Sequence, residues 1–196
     1  TTHKQLLSSV SPIVDCGVHY IDVMCQITGS KPVKVSGIGA QLSDELPPEN
    51  INYGHLQVTF EDGSIGWYEA GWGPMVSETA FFIKDVIGPN GSVSIVAKEA
   101  SSRGQSSSVD AHTQTEQLLV HRSRVNESGD LEQDDVLLEL ENEPDHDELC
   151  RREQEFFLQA IKGEVDLTEH QASAIRATEV VLAADQSFRK GKTVEL

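Results

Sequence analysis

The chain has 196 residues, 38% of them hydrophobic and 24% charged, enough for one well-packed domain with a sizeable core. Its net charge of −17 and sequence pI of about 4.6 argue against a nucleic-acid or anionic-membrane partner, because both need clustered Lys and Arg. Three cysteines (Cys16, Cys25 and Cys150), an odd count with no C-x-x-C, make neither a disulfide framework nor a zinc knuckle and fit a reducing, cytoplasmic setting.

The start, TTHKQLL, has no Met and no signal peptide and reads as a piece of something longer. Ser11-Pro12 then makes a good helix start: Ser suits the N-cap, and Pro suits the first helical position, where its missing N–H costs nothing. Apolar residues recur at Ile13, Val14, Gly17, Val18, Ile21, Met24 and Cys25 with helical spacing. Gly29 is the expected C-cap and Lys31-Pro32 the stop, so a helix is predicted over residues 12–28.

The middle of the chain changes character. KPVKVSGIGAQL, NYGHLQVTFEDGSIGWYEAGW, TAFFIKDVIGPNGSVSIVA, TEQLLVHRS and DDVLLELE are strand-like runs broken by turn signals. Glu61-Asp62-Gly63 and Pro89-Asn90-Gly91 are expected hairpin turns. HLQVTF and SIGWYEAGW alternate as a sheet with one buried face does. Lys98–Ala111 is Ser-rich and predicted as a loop, and the acidic stretch Glu127–Glu155 as a solvated face and flexible connection. A helix ending at Gly163 comes next, then a second capped by Thr168 and running to about Lys190 with Gly191 after it, and TVEL closes the chain as a short strand. Helix, many strands, two helices predicts an α+β fold: an open-faced, largely antiparallel sheet with helices packed on one face, in a single domain over residues 1–196.

Two constellations carry chemistry. Gly37-Ile38-Gly39 is a G-x-G after a strand-like run, but the third glycine is missing and SDELPPEN stands where a dinucleotide site needs a helix N-terminus. A bent or bulged strand is expected there, and no cofactor-binding residue. In VDCGVHYIDVM, residues 14–24, Asp15 and His19 lie four apart and share a helix face. They can be an acid/base couple, since His titrates near neutrality and a carboxylate one turn earlier can orient its ring or bond substrate hydroxyls. They can be part of a metal site with Asp22, although none of His3, His55, His112 and His121 completes a zinc-type motif and no metal is expected. They can also be a polar pair satisfying a helix under the sheet. No G-x-S-x-G elbow and no Cys/His nucleophile signature is present, and Asp15 beside Cys16 discourages a thiolate.

VDCGVHYIDVMCQITGSKPVKVSG resembles the D-x-G-x-H-x-x-D helix and following strand of the Gfo/Idh/MocA oxidoreductases. FEDGSIGWYEAGW and IKDVIGPNGSVSI resemble that family's two hairpins. EQEFFLQAIKGE with TEHQASAIRATEVVLAADQSFRKGKTVEL resembles its closing helices and last strand. The resemblance spans about Ser11 to Leu196, with a divergent insertion around residues 98–145.

The resemblance implies a two-domain NAD(P)-dependent dehydrogenase of sugars, polyols or cyclitols. This chain would be its C-terminal, glyceraldehyde-3-phosphate dehydrogenase-like domain, supplying substrate contacts and a homo-oligomer interface through the sheet face. NAD or NADP would be held mainly by an N-terminal Rossmann domain. That domain's Gly-rich fingerprint and the E-K-P segment with its lysine are absent here. Asp15 and His19 match the family's catalytic Asp and His, and Asp22 a structural position. The expected function is substrate binding for oxidation of a secondary alcohol, with the fragment inactive alone. A non-catalytic assembly module and a metal-assisted lyase or hydrolase are the alternatives.

Overall fold

The computed structural model describes residues 6, 8–44, 46–73, 84–96 and 115–196. The predicted Ser-rich loop, Lys98–Ala111, lies outside them, as does the start of the TAFFIKDV run. The described elements are α1 (Pro12–Asp15), α2 (Gly17–Thr28), β1 (Pro32–Ala40), β2 (Tyr53–Phe60), β3 (Ile65–Gly71), β4 (Asp85–Gly88), β5 (Gly91–Val96), β6 (Gln117–Arg122), β7 (Val136–Glu139), α3 (His146–Ile161), α4 (Thr168–Lys190) and β8 (Val194–Glu195). The fold is α+β, with antiparallel pairing throughout both sheets.

The chain divides into two compact units, Thr1–Val76 with Asp166–Leu196, and Ser77–Val165. In the first, the sheet order is β3-β2-β1-β8, so the last strand closes onto the first by pairing Val35 with Val194. Strand alternation sends Val35 of β1 and Leu56, Val58 and Phe60 of β2 to one face, where they are buried. Ile13 and Ile21 from the N-terminal helices and Ala177, Val180, Val181 and Ala184 from α4 cover that face and complete the core. The other face leaves Ile38, Ile65 and Trp67 exposed.

The G-x-G of β1 is where α4 comes closest to the sheet. A Cβ on Gly37 would stand 2.3 Å from the Ala184 carbonyl oxygen, and one on Gly39 would meet Ile51 and the Phe188 ring. The Gly37 N–H donates to Ser187 Oγ at 2.9 Å. These glycines serve helix-to-strand packing, and the strand's one register shift lies earlier, between Pro32 and Lys34. The expected bend at Gly37 is therefore replaced by a regular ladder under a close-packed helix.

The second unit holds the sheet β4-β5-β6-β7 and α3. The β4–β5 connection is the predicted Pro89-Asn90 turn. Helix α3 starts where Asp145 Oδ1 accepts the Glu148 N–H at 2.8 Å, a side-chain cap. Its exposed surface carries Glu148, Arg151, Arg152 and Glu155 as an ion-pair ladder at i, i+3 and i, i+4.

The second predicted cap is displaced. Leu167, with no side-chain bond, holds the N-cap of α4, and Asp166 accepts from both the Thr168 N–H and hydroxyl. A carboxylate outcompetes the Thr hydroxyl as acceptor there, so Thr168 acts as donor.

Candidate active site

The 12–28 run forms as predicted, with one irregularity. Ser11 takes the extended N-cap conformation, and its carbonyl accepts from Val14 and Asp15, but its buried hydroxyl makes no cap bond. Cys16 separates α1 from α2 yet keeps a right-handed helical conformation (φ −89°, ψ −27°), and the His19 N–H donates to its carbonyl at 3.2 Å. Gly29 ends the helix at φ +61°, with its N–H on the Cys25 carbonyl. The rise of the helix therefore keeps Asp15 and His19 one turn apart, as the spacing requires.

His19 is exposed and Asp15 half-buried. No hydrogen bond or ion pair joins them. Asp15 Oδ2 instead accepts from the Cys16 thiol at 3.4 Å. The helix thus leaves the imidazole open to an incoming molecule, while the carboxylate one turn earlier is tethered at its base. Asp22, one turn beyond His19, is engaged elsewhere: its carboxylate accepts from Gln26 Nε2 at 2.7 Å and from Ser173 Oγ of α4, tying the two helices together.

Two tyrosines complete the neighbourhood. Tyr68, on the inward side of β3, stacks on Tyr20 of α2 with ring centroids 4.7 Å apart and an interplanar angle of 22°. A Cβ on Gly17 would stand 3.3 Å from the Tyr68 ring, so the glycine between Asp15 and His19 makes room for this stack. Burial pushes the Cys16 thiol up to about 11, and the Asp15 charge and hydrogen bond push the same way, against a smaller opposing hydrogen bond from Tyr68. The Tyr68 hydroxyl is pushed above its ordinary value, first by burial, then by Cys16, Tyr20 and Asp15. Burial raises Tyr20 also. The residue pattern alone did not point to Tyr20 or Tyr68. The signal was the alternation of SIGWYEAGW, which sends Gly66 and Tyr68 inward once Trp67 is assigned outward.

Among the described residues, no group of three or more His, Cys, Asp or Glu is arranged to hold a metal ion. None of their helices is long and apolar enough to cross a membrane. The described residues offer no dinucleotide cradle at the β1 glycines, because Ala184 and Phe188 fill the space above them.

The fold has counterparts among known proteins. A family model described as the oxidoreductase family C-terminal alpha/beta domain, Gfo/Idh/MocA type, matches residues 8–196. Among solved structures, scyllo-inositol dehydrogenase from Lactobacillus casei, crystallised with NAD(H) and scyllo-inositol, is similar at 18% identity and a TM-score of 0.61, over 99% of this chain and 52% of that one. Aldose-aldose oxidoreductase from Caulobacter crescentus, complexed with glycerol, is similar at 18% identity and a TM-score of 0.61, over 94% and 47%. An oxidoreductase from Agrobacterium radiobacter in complex with NAD+, L-tartaric acid and magnesium is similar at 13% identity and a TM-score of 0.60, over 99% and 52%. At these identities the likeness shows the fold, and the chain spans about half the length of each of these structures. No curated protein matches the sequence. With the family match covering all but the first seven residues, the chain belongs to the Gfo/Idh/MocA oxidoreductases as their C-terminal alpha/beta domain.

Proposed function

We propose that this chain is the substrate-binding and oligomerisation domain of a cytoplasmic NAD(P)-dependent oxidoreductase that acts on a secondary alcohol of a sugar, polyol or cyclitol. The family match and the neighbours' inositol- and aldose-related names support the reading. The observation that carries it is an exposed His19 one helical turn after Asp15, on a helix whose Ile21 and Cys25 are anchored in the core. A solvent-facing imidazole on a rigid helix is suited to general acid/base work.

In this reading both compact units act as one functional domain. The His19 imidazole takes the proton of the reacting hydroxyl during oxidation and returns it during reduction. Asp15 bonds a substrate hydroxyl or supports the imidazolium. NAD or NADP, held by a nucleotide-binding domain outside this chain, would supply the hydride chemistry. The chain alone has no nucleotide cradle at β1, so it is expected to show no turnover by itself.

The test uses the protein that joins this chain to its nucleotide domain. NAD and NADP reduction would be followed against a panel of sugars, polyols and inositols, with His19→Ala as control. Turnover that collapses in the variant supports the reading, and full activity without His19 overturns the acid/base assignment.

A second role shares the domain. The face of the β3-β2-β1-β8 sheet that carries Ile38, Ile65 and Trp67 is exposed in the single chain, and we propose that it pairs with a second copy. Sedimentation at rising concentration checks this, and a strictly monomeric species counts against it.

A further inference from the structure

Resting on the reading of His19 as the acid/base group, we propose that the exposed ridge of α2 formed by Val23 and Ile27 is the docking surface for the nucleotide-binding domain that brings the nicotinamide to His19.

The ridge continues the candidate site. From Asp15, steps of four residues reach His19, Val23 and Ile27, one row along a single side of the helix. Each step rises about 6 Å, so Ile27 stands about 12 Å beyond His19 along the axis. The row that enters the core is Gly17, Ile21 and Cys25, two residues out of phase and so about 200° around the helix. Helix α2 is therefore apolar on two opposite sides, and only the inner one is covered: Val23 is 49% and Ile27 55% exposed. A helix that is apolar on both sides belongs between two layers. Local propensity does not account for the ridge, because branched side chains lose rotamer freedom in a helix and are weak choices for exposed positions. The helix has no Lys or Arg, and its one carboxylate, Asp22, is engaged by Gln26 and Ser173.

Two facts about the molecule select the occupant. The chain matches the family's C-terminal domain and spans about half the length of related structures, which leaves a body of similar length to pack against it. Hydride transfer needs the nicotinamide in contact with the carbon whose hydroxyl His19 deprotonates, so the domain that holds it must approach the side of α2 that carries His19. That side is the ridge. A polar His19 and Gln26 beside apolar Val23 and Ile27 make the mixed surface usual between domains of one protein. The sheet face with Ile38, Ile65 and Trp67 lies on the far side of the sheet from α2, so a second copy seated there leaves the ridge free.

Hydroxyl-radical footprinting tests the docking without turnover. Val23 and Ile27 are labelled in this chain alone and in the intact protein that joins it to its nucleotide domain. Labelling of both is expected to drop severalfold in the intact protein, to the same level at every protein concentration. Equal labelling in the two proteins overturns the proposal. Labelling in the chain alone as weak as that of fully buried Ile21 also overturns it, by putting another part of this chain on the ridge. Protection that grows with concentration overturns it by putting a second copy there.

A paired substitution, Val23→Glu with Ile27→Lys, supplies the functional test. The two charges suit an exposed helix at i, i+4, so the unfolding midpoint of this chain alone is expected to hold. Between domains the same charges are desolvated. In the intact protein, proteolytic cleavage between the domains is expected to quicken severalfold and kcat to fall about tenfold, with nucleotide affinity unchanged. Unchanged cleavage and kcat overturn the proposal, as does a chain that no longer folds alone. If the intact protein oxidises no substrate, the function fails while footprinting and cleavage still decide the docking.

Discussion

Gly37 of β1 lies directly beneath Ala184 of α4, so close that a Cβ on Gly37 would stand 2.3 Å from the Ala184 carbonyl oxygen. The obstructing atom is backbone in the middle of a long helix, which cannot swing aside as a side-chain tip can. Gly37→Ala is therefore expected to push α4 off the sheet and disturb Val180, Val181 and Ala184 in the core. The cost should sit at the upper end of overpacking, about 3 kcal/mol or loss of folding. Thermal or urea denaturation checks it, with an unchanged midpoint as the contrary result.

Helices α2 and α4 are tied by a second, polar contact, from Ser173 Oγ to the Asp22 carboxylate. Ser173→Ala leaves Asp22 with Gln26 as its remaining donor and part-exposed, so water can replace the lost hydroxyl. A loss of about 1 kcal/mol is expected, the usual net worth of such a bond. Because the Asp22 oxygens accept from Gln26 and Ser173 and not from His19, kcat of the intact protein should not change. A fall in kcat at unchanged stability would move Asp22 into the site.

Cys16 makes stability depend on pH in the alkaline range. Its thiol rises from an ordinary 9.0 to about 11 in the folded chain, by burial first and Asp15 second. Between those values the unfolded chain has lost the proton and the folded chain still holds it. Folded protein thus binds more protons than unfolded protein, and stability must fall as pH rises through that window. The full contribution is present below about pH 9. Tyr20 and Tyr68, also raised by burial, act in the same direction. Asp15→Asn removes a neighbouring charge, so the Cys16 titration should move down and its alkylation at about pH 8 should quicken. Chemical denaturation repeated at about pH 8 and about pH 10.5 reads the first effect, and alkylation rates the second.

Much of this architecture is written locally. The Ser11-Pro12 start and the turns at Gly29, Gly63 and Gly191 depend on residues within one turn of chain, and each falls where its residue types put it. The α+β class comes from the order of periodicities. What could not be read is non-local. That β8 would pair with β1 across the whole chain, bringing Thr193 Oγ1 within 2.7 Å of Ser36 Oγ, is decided by packing. That the described strands separate into two four-stranded sheets is likewise a matter of partners, which a strand's own sequence does not name. Asp15 and His19 were visible because a helix brings i and i+4 together. Tyr68 was hidden because its place against Tyr20 and Gly17 depends on which face of β3 the helices cover. Even the glycines of β1 were half legible: the SDELPPEN run after them rules out a nucleotide loop, but their use under Ala184 could not be argued from neighbouring residues.

His19 and Asp15 are expected to act as a unit. In the protein that joins this chain to a nucleotide domain, His19→Gln removes the acid/base group while keeping a polar side chain of similar reach. The imidazole is exposed and contributes nothing to the core, so folding should survive. Loss of a general acid/base group is expected to lower kcat about 10²- to 10⁴-fold. Asp15→Asn keeps the size and an oxygen acceptor for the Cys16 thiol, and removes the charge that would support an imidazolium. Its loss should be smaller than that of His19→Gln. If the carboxylate works only through the imidazole, the double variant should be no slower than His19→Gln alone. Nucleotide affinity, measured by fluorescence quenching, should stay the same in all three, because neither residue is assigned to the cofactor. A double variant slower by the product of the two single losses would mean that Asp15 contacts substrate independently of His19. A His19→Gln protein with nearly full kcat would mean that the proton leaves by another route.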